Sequence, residues 1–156
     1  MDAKLQRVID AGHAAGLVVE PKTFSSETRT AQDAAREIGC DVAQIVKSLV
    51  FGSERGPLLF MVSGANRLDA TKGAGAAQVP ALEKADASGV KAATGFSIGA
   101  TPPLGLATAL PVFMDEDLLG HEVVWAAAGR PDSVFPVAPA ELARATGATV
   151  VDLKEG

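Results

Sequence analysis

The 156-residue chain has one cysteine, Cys40, so no internal disulfide is open to it. Cys40 is expected as a small buried apolar residue. Histidine is almost as scarce. His13 and His121 stand far apart, with no HxxxH, HExxH or CxxC spacing, so a protein-built transition-metal site has no support and no metal is expected. Long apolar runs are missing too: charges, glycine or proline interrupt every stretch before the roughly 18 residues that a membrane-spanning helix needs. The N-terminal MDAKLQRVIDAGHAAG lacks the continuous apolar segment of a secretory signal. A cytoplasmic protein with no membrane partner is the expectation. Neither a Walker sequence nor a G-x-G-x-x-G between strand and helix is present.

What the chain does have is a globular balance, with 47% apolar and 21% charged residues, which excludes intrinsic disorder. The length predicts one domain over residues 1–156 and excludes larger scaffolds such as a TIM barrel of about 250 residues. The net charge of −5 argues against a generic nucleic-acid coat. That deficit sits in the second half: residues 1–78 carry nine Lys/Arg against nine Asp/Glu, and residues 79–156 carry five against ten. A polyanion would therefore meet the N-terminal half, through Lys22, Arg29, Lys47, Arg67 and Lys72. Ordinary solvated charge is the alternative reading.

Punctuation by caps and breakers predicts short elements. Asp2 caps a first helix bearing Leu5, Val8 and Ile9, closed at Gly16, and Leu17 to Val19 read as a strand. Thr30 and Asp33 have capping-box spacing before a helix that ends at Gly39, and Asp41 with Gln44 repeats the device. Val46 to Phe51 and Leu58 to Val62 flank GSERGP as a hairpin. Asp69 caps a weak, Gly- and Ala-rich helix, and Asp86 to Thr94 form another, closed by Gly95. Pro111 to Met114 and Val123 to Ala127 read as strands, with Trp125 as core. Pro139 opens a last helix before a strand from Thr149 to Val151. The interleaving lacks a regular βαβ cadence, so the expected fold is mixed α+β: a curved, barrel-like mixed sheet with flanking short helices.

Three segments carry candidate chemistry. Gly95-Phe96-Ser97-Ile98-Gly99 matches the G-x-S-x-G elbow of serine hydrolases, but Pro102 and Pro103 block the helix that an elbow must enter, so a Ser97 esterase is rejected. Lys47 is a cation written into the start of an apolar strand. Its ammonium must reach solvent, a carboxylate or an anionic ligand, because burial without a partner costs several kcal/mol. The loop Gly99-Ala100-Thr101-Pro102-Pro103 joins a conformationally free residue to two that fix φ, and so can present amide N–H groups in a preorganised geometry. A plain connection between helix and strand is the other reading of that loop.

These strings, taken together, carry a resemblance. AQIVKSLVF, MVSGANRLDATK, TGFSIGATPPLG with LPVFMDEDLL, and VWAAAGRPDSVFPVAPAELARATGATVVDL resemble, in that order over roughly residues 25 to 153, the YbaK/prolyl-tRNA synthetase editing-domain family of aminoacyl-tRNA deacylases. Lys47 falls on that family's strand lysine and Gly99 to Pro103 on its G-x-x-x-P loop. The resemblance implies hydrolysis of the ester joining a wrongly chosen small amino acid (Ala, Ser, Thr or Cys) to a tRNA, with tRNA for proline as one carrier and no cofactor. The implied partners are the aminoacyl-tRNA acceptor end and an aminoacyl-tRNA synthetase. Lys47 then binds the terminal adenosine phosphate or the substrate end. The loop amides hold the ester carbonyl and position a water, and the substrate's own ribose hydroxyl assists. Thr30, besides capping its helix, falls where the family lines its substrate cleft. Ser63, Asn66 and Lys72 belong to the second string and face the same cleft in this reading, with Lys72 on tRNA phosphate; as turn or cap residues they would do neither.

The chain departs from the family pattern at three places. Ala100 stands where a second loop Gly is common, Leu106 where some relatives carry His, and VFPVAP has no match for an Asp carried near that strand, with Asp132 close but out of register. A non-catalytic tRNA- or synthetase-binding module with the same fold is therefore the alternative function.

Overall fold

Capping chemistry decides where the helices begin. A computed structural model describes residues 2–25 and 30–156. Asp2 accepts from the amides of Lys4 and Leu5 at 2.8 and 3.3 Å to start α1 (Ala3–Ala14). Thr30 Oγ1 accepts from Asp33 N at 3.1 Å to start α2 (Ala31–Ile38), while the Asp33 carboxylate pairs with Arg36 at 2.6 Å. Asp69 and Asp86 do the same for α3 (Ala70–Ala77) and α4 (Ala87–Thr94). Pro139 occupies the first turn of α5 (Pro139–Thr146), where its missing N–H is harmless. A 3₁₀ turn at Val42–Gln44 opens with Asp41 N donating to Gln44 Oε1 at 3.0 Å.

The strands are β1 (Lys22–Thr23), β2 (Val46–Gly52), β3 (Leu58–Ser63), β4 (Glu83–Lys84), β5 (Val112–Asp115), β6 (Val124–Ala127), β7 (Ser133–Val137) and β8 (Thr149–Val151). They form a five-stranded sheet in the order β4-β2-β3-β5-β8 and a three-stranded sheet in the order β1-β7-β6. The predicted hairpin is β2–β3, in antiparallel register from Val46↔Ser63 to Phe51↔Leu58, while β3, β5 and β8 run parallel.

The expected mixed α+β class holds, but the barrel does not. β2 pairs with β3 along its length and with β4 at its end, and although it packs close to β6, the backbone bridge between them among the described residues is the isolated Ile45–Trp125 that precedes it. Two open sheets joined at that bridge replace a closed one. The predicted strand at Leu17–Val19 is also absent. Leu17 and Val19 are buried in the core and Val18 is exposed, an alternation like that of a strand, but no ladder forms there.

β3 is buried on both faces, which explains its unbroken apolar run. Leu59 and Met61 face a cluster with Val46 and Val50 of β2, Met114 of β5, Val8 of α1, Val90 of α4 and Leu142 of α5. Leu58, Phe60 and Val62 face a second cluster beneath α3, where Phe60 stacks on Phe113 at 5.2 Å. Trp125 is half-buried and packs with Ala34, Ala35 and Ile45 in a third cluster, rather than lying in the main core. Cys40 also sits half-buried beside that cluster, less enclosed than expected, and burial pushes its thiol upward. No helix among the described residues is long and apolar enough to cross a membrane.

Candidate active site

A cavity of about 400 Å³ opens where β2, the start of α2, the β6–β7 pair and the loop after α4 converge. Its walls are largely apolar, from Ala34, Ile45, Val50, Val90, Trp125 and Val134, with few polar groups among them, the usual composition of a small-molecule site. Four residues singled out from sequence border it: Thr30, Lys47, Gly99 and Thr101. They lie up to 71 residues apart in the chain, from Thr30 to Thr101, and are united by β2 lying between α2 and the loop.

Lys47 is half-buried, and its ammonium donates to the backbone carbonyl of Asn66 in the turn after β3. Burial, and then the nearby Arg67 guanidinium, hold its pKa below the ordinary lysine range, while Asp115 pulls the other way. Next to it, Ser48 Oγ is buried with no partner among the described residues.

The loop is pinned from beneath. Phe96 is fully buried, Thr94 Oγ1 donates to Val90 O at 2.7 Å and accepts from Phe96 N at 3.1 Å, and Thr101 Oγ1 donates to Ser97 O at 3.1 Å. Gly99 has φ +84°, a backbone state that few other residues adopt. The Ala100 amide already donates to Ser97 O at 3.0 Å. The amides of Gly99 and Thr101 donate to no acceptor among the described residues, and both residues border the cavity. Two unpaired donors at a cavity wall can hold a developing oxyanion.

The remaining predicted residues lie elsewhere. Pro102 and Pro103 are buried and do not line this cavity. Ala100 borders a second, shallower cavity on the loop's other side, so its methyl group does not narrow the main one. Ser63 is buried, its hydroxyl donating to Ala43 O at 2.8 Å. The Asn66 carboxamide bridges Asp115 and Asp117 at 2.8 and 3.0 Å, and only its backbone carbonyl reaches Lys47. Lys72 is tied to Asp152 and to Lys154 O at 2.8 and 2.7 Å, away from the cavity lining. Leu106 packs against the core. Arg29 lies outside the described residues. Neither histidine borders the cavity, so Ser97 has no imidazole partner there.

Sequence reasoning missed Arg130. It stands on the wall between the two cavities, in a bidentate pair with Asp132 at 3.1 Å and a longer contact to Asp2 at 3.4 Å. The signal was there in Gly129-Arg130-Pro131-Asp132, a turn between strands in which Gly129 has φ +97° and little room for a side chain against Phe96.

The small mixed α+β fold thus brings a strand lysine and a glycine–proline loop to the border of one cavity. Residues 25–145 match the family model described as the aminoacyl-tRNA editing domain, and the chain belongs to that family. A crystal structure described as a candidate trans-editing enzyme for prolyl-tRNA synthetase is 46% identical, covering 100% of this chain and 99% of that one, with a TM-score of 0.94. EbsC of Enterococcus faecalis, named as a candidate Cys-tRNA(Pro)/Cys-tRNA(Cys) deacylase, is 26% identical over 74% of this chain and 71% of its own length. YwhH of Bacillus subtilis, whose name assigns no activity, is 30% identical over 76% of each chain.

Proposed function

We propose that the protein is a trans-editing deacylase that hydrolyses the ester between a small, wrongly attached amino acid and the terminal ribose of a tRNA. The observation that carries this reading is the convergence of the Lys47 strand with the unpaired Gly99 and Thr101 amides on one cavity. Lys47 binds the phosphate or ribose end of the acceptor strand. The two amides take the ester carbonyl, whose oxygen gains negative charge as water adds to the carbon. Collapse then breaks the acyl C–O bond, and the ribose oxygen leaves with a proton derived from the water, passed by the neighbouring ribose hydroxyl. The ester is already activated and its ammonium makes the carbonyl more electrophilic, so positioning and preorganised donors suffice without a side-chain nucleophile.

The names of two relatives guide the choice of substrates to test: one speaks of prolyl-tRNA synthetase and one of Cys-tRNA. The deciding experiment charges tRNA for proline with Ala, Ser, Thr, Cys or 2-aminobutyrate and follows release of the amino acid. At least one is expected to be deacylated. Lys47→Ala is expected to be at least about tenfold slower on that substrate, or about 1.4 kcal/mol of transition-state stabilisation, with Lys47→Arg recovering part of it. Binding of tRNA with no deacylation of any member would instead identify a binding module. Equal rates for wild type and Lys47→Ala would remove Lys47 from the site.

A further inference from the structure

Behind Lys47 lies a buried carboxylate that the mechanism above does not use. Asp115 ends β5, a central strand, and is fully buried. Its oxygens accept from three neutral donors: Ser63 N at 3.1 Å, Asn66 Nδ2 at 2.8 Å and Asp117 N at 3.0 Å. Among the described residues no lysine, arginine or histidine forms an ion pair with it. Hydrogen bonds satisfy such a group but leave its charge in place, and burying a charge without a counter-ion is costly. Asn66 links this carboxylate to the site. Its carboxamide is clamped between Asp115 and Asp117, and its backbone carbonyl accepts from the Lys47 ammonium. Lys154 fixes the outer end of the cluster, pairing with Asp117 at 3.0 Å.

We propose that Asp115 is a positioning residue for Lys47: it holds the Asn66 carboxamide, and the Asn66 backbone carbonyl in turn fixes where the ammonium stands. This rests on the deacylase reading for its catalytic consequence, but the link between Asp115 and Lys47 stands on the hydrogen bonds alone. Four charged groups lie around Lys47 and its carbonyl partner: Arg67 in the same turn, Asp115 on β5, Asp117 in the following 3₁₀ turn and Lys154 near the C-terminus. Arg67 opposes the charged form of Lys47 and Asp115 favours it. Asp117 and Lys154 largely offset each other as an ion pair.

The sign of the test follows. Removing the Asp115 charge while keeping its shape, in Asp115→Asn, lets burial and Arg67 act unopposed, so Lys47 loses its proton at lower pH. In protein labelled with 13C at lysine Cε, the Lys47 midpoint is expected to fall by about half a pH unit or more in Asp115→Asn. The alkaline limb of the deacylation profile, corrected for spontaneous hydrolysis, is expected to move with it. An unchanged Lys47 midpoint in folded Asp115→Asn overturns the proposal. A shifted midpoint with no deacylation by either protein sinks the editing reading and leaves the positioning role intact.

Asn66→Ala keeps both carboxylates and the carbonyl but cuts the tie, so it remains informative if Asp115→Asn does not fold. Its kcat is expected to fall about fivefold with KM changed less than about twofold. A wild-type kcat for Asn66→Ala overturns the proposal.

Discussion

Lys47 illustrates what a half-buried ammonium costs the fold that holds it. Its folded pKa is depressed, chiefly by burial, so below that value the folded chain carries a cation it would rather release. In the window between the depressed value and the ordinary lysine value of about 10.4, the unfolded chain binds more protons, so stability from this group rises with pH. The penalty is thus fully present at neutral pH and relieved on the alkaline side. Lys47→Met, which fills similar volume without charge, is expected to raise unfolding stability by about 1 kcal/mol at pH 7 and by less near pH 10, while deacylation falls at least about tenfold. Urea unfolding at the two pH values checks it. A destabilised Lys47→Met would mean that its bond to the Asn66 carbonyl outweighs desolvation. Lys47 was legible in the sequence because an ammonium in an apolar strand demands an explanation. Arg130 was not, because an arginine in a Gly-Pro turn looks like solvated charge until Asp2 and Asp132, the latter only two residues away, are seen gripping it beside the cavity. Asn66 was singled out for its side chain, yet the atom that meets Lys47 is its backbone carbonyl, which residue identity does not announce.

At the scale of elements, α3 shows how two glycines in one helix can play opposite parts. A Cβ at Gly73 would lie 2.9 Å from Leu82 and 3.2 Å from Phe60, so the close packing of this helix on the second core cluster needs the missing methyl. A Cβ at Gly75 would meet nothing within 4 Å. Gly75→Ala is therefore expected to stabilise the protein by about 0.5–1 kcal/mol, the ordinary helix preference of alanine, and Gly73→Ala to give no such gain. Gly64 is stricter, since a Cβ there would come within 2.4 Å of the Val42 carbonyl, and Gly64→Ala is expected to lower the melting temperature of the whole domain. Differential scanning calorimetry of the three variants tests the ranking, and a stabilised Gly64→Ala would contradict it. Helix starts were legible because Asp2, Thr30, Asp69 and Asp86 cap them through bonds two or three residues away. The two-residue strands β1 and β4 were not. Their pairing with β7 and β2 comes from distant chain and leaves no local pattern in Lys22-Thr23 or Glu83-Lys84.

For the whole molecule, the sequence conveyed the mixed α+β class but not how the sheets close, because closure depends on which strand edges find partners. The backbone bridge between the ladders among the described residues, Ile45 to Trp125, bears on more than topology. The cavity has β2 on one side and the β6–β7 pair on the other, so its opposite walls belong to different hydrogen-bonded units. Amide exchange is expected to resolve them: the amides that pair β6 with β7 should open as one group, separately from those of β2, β3 and β5. Simultaneous opening of both groups would show a single cooperative unit instead. Two stiff boards meeting along a short seam make the gap between them a soft coordinate. Its width can then drift over generations through substitutions at the seam, with every ladder bond kept, so the size of molecule the cavity admits can be retuned without moving Lys47 or the Gly99 and Thr101 amides that border it.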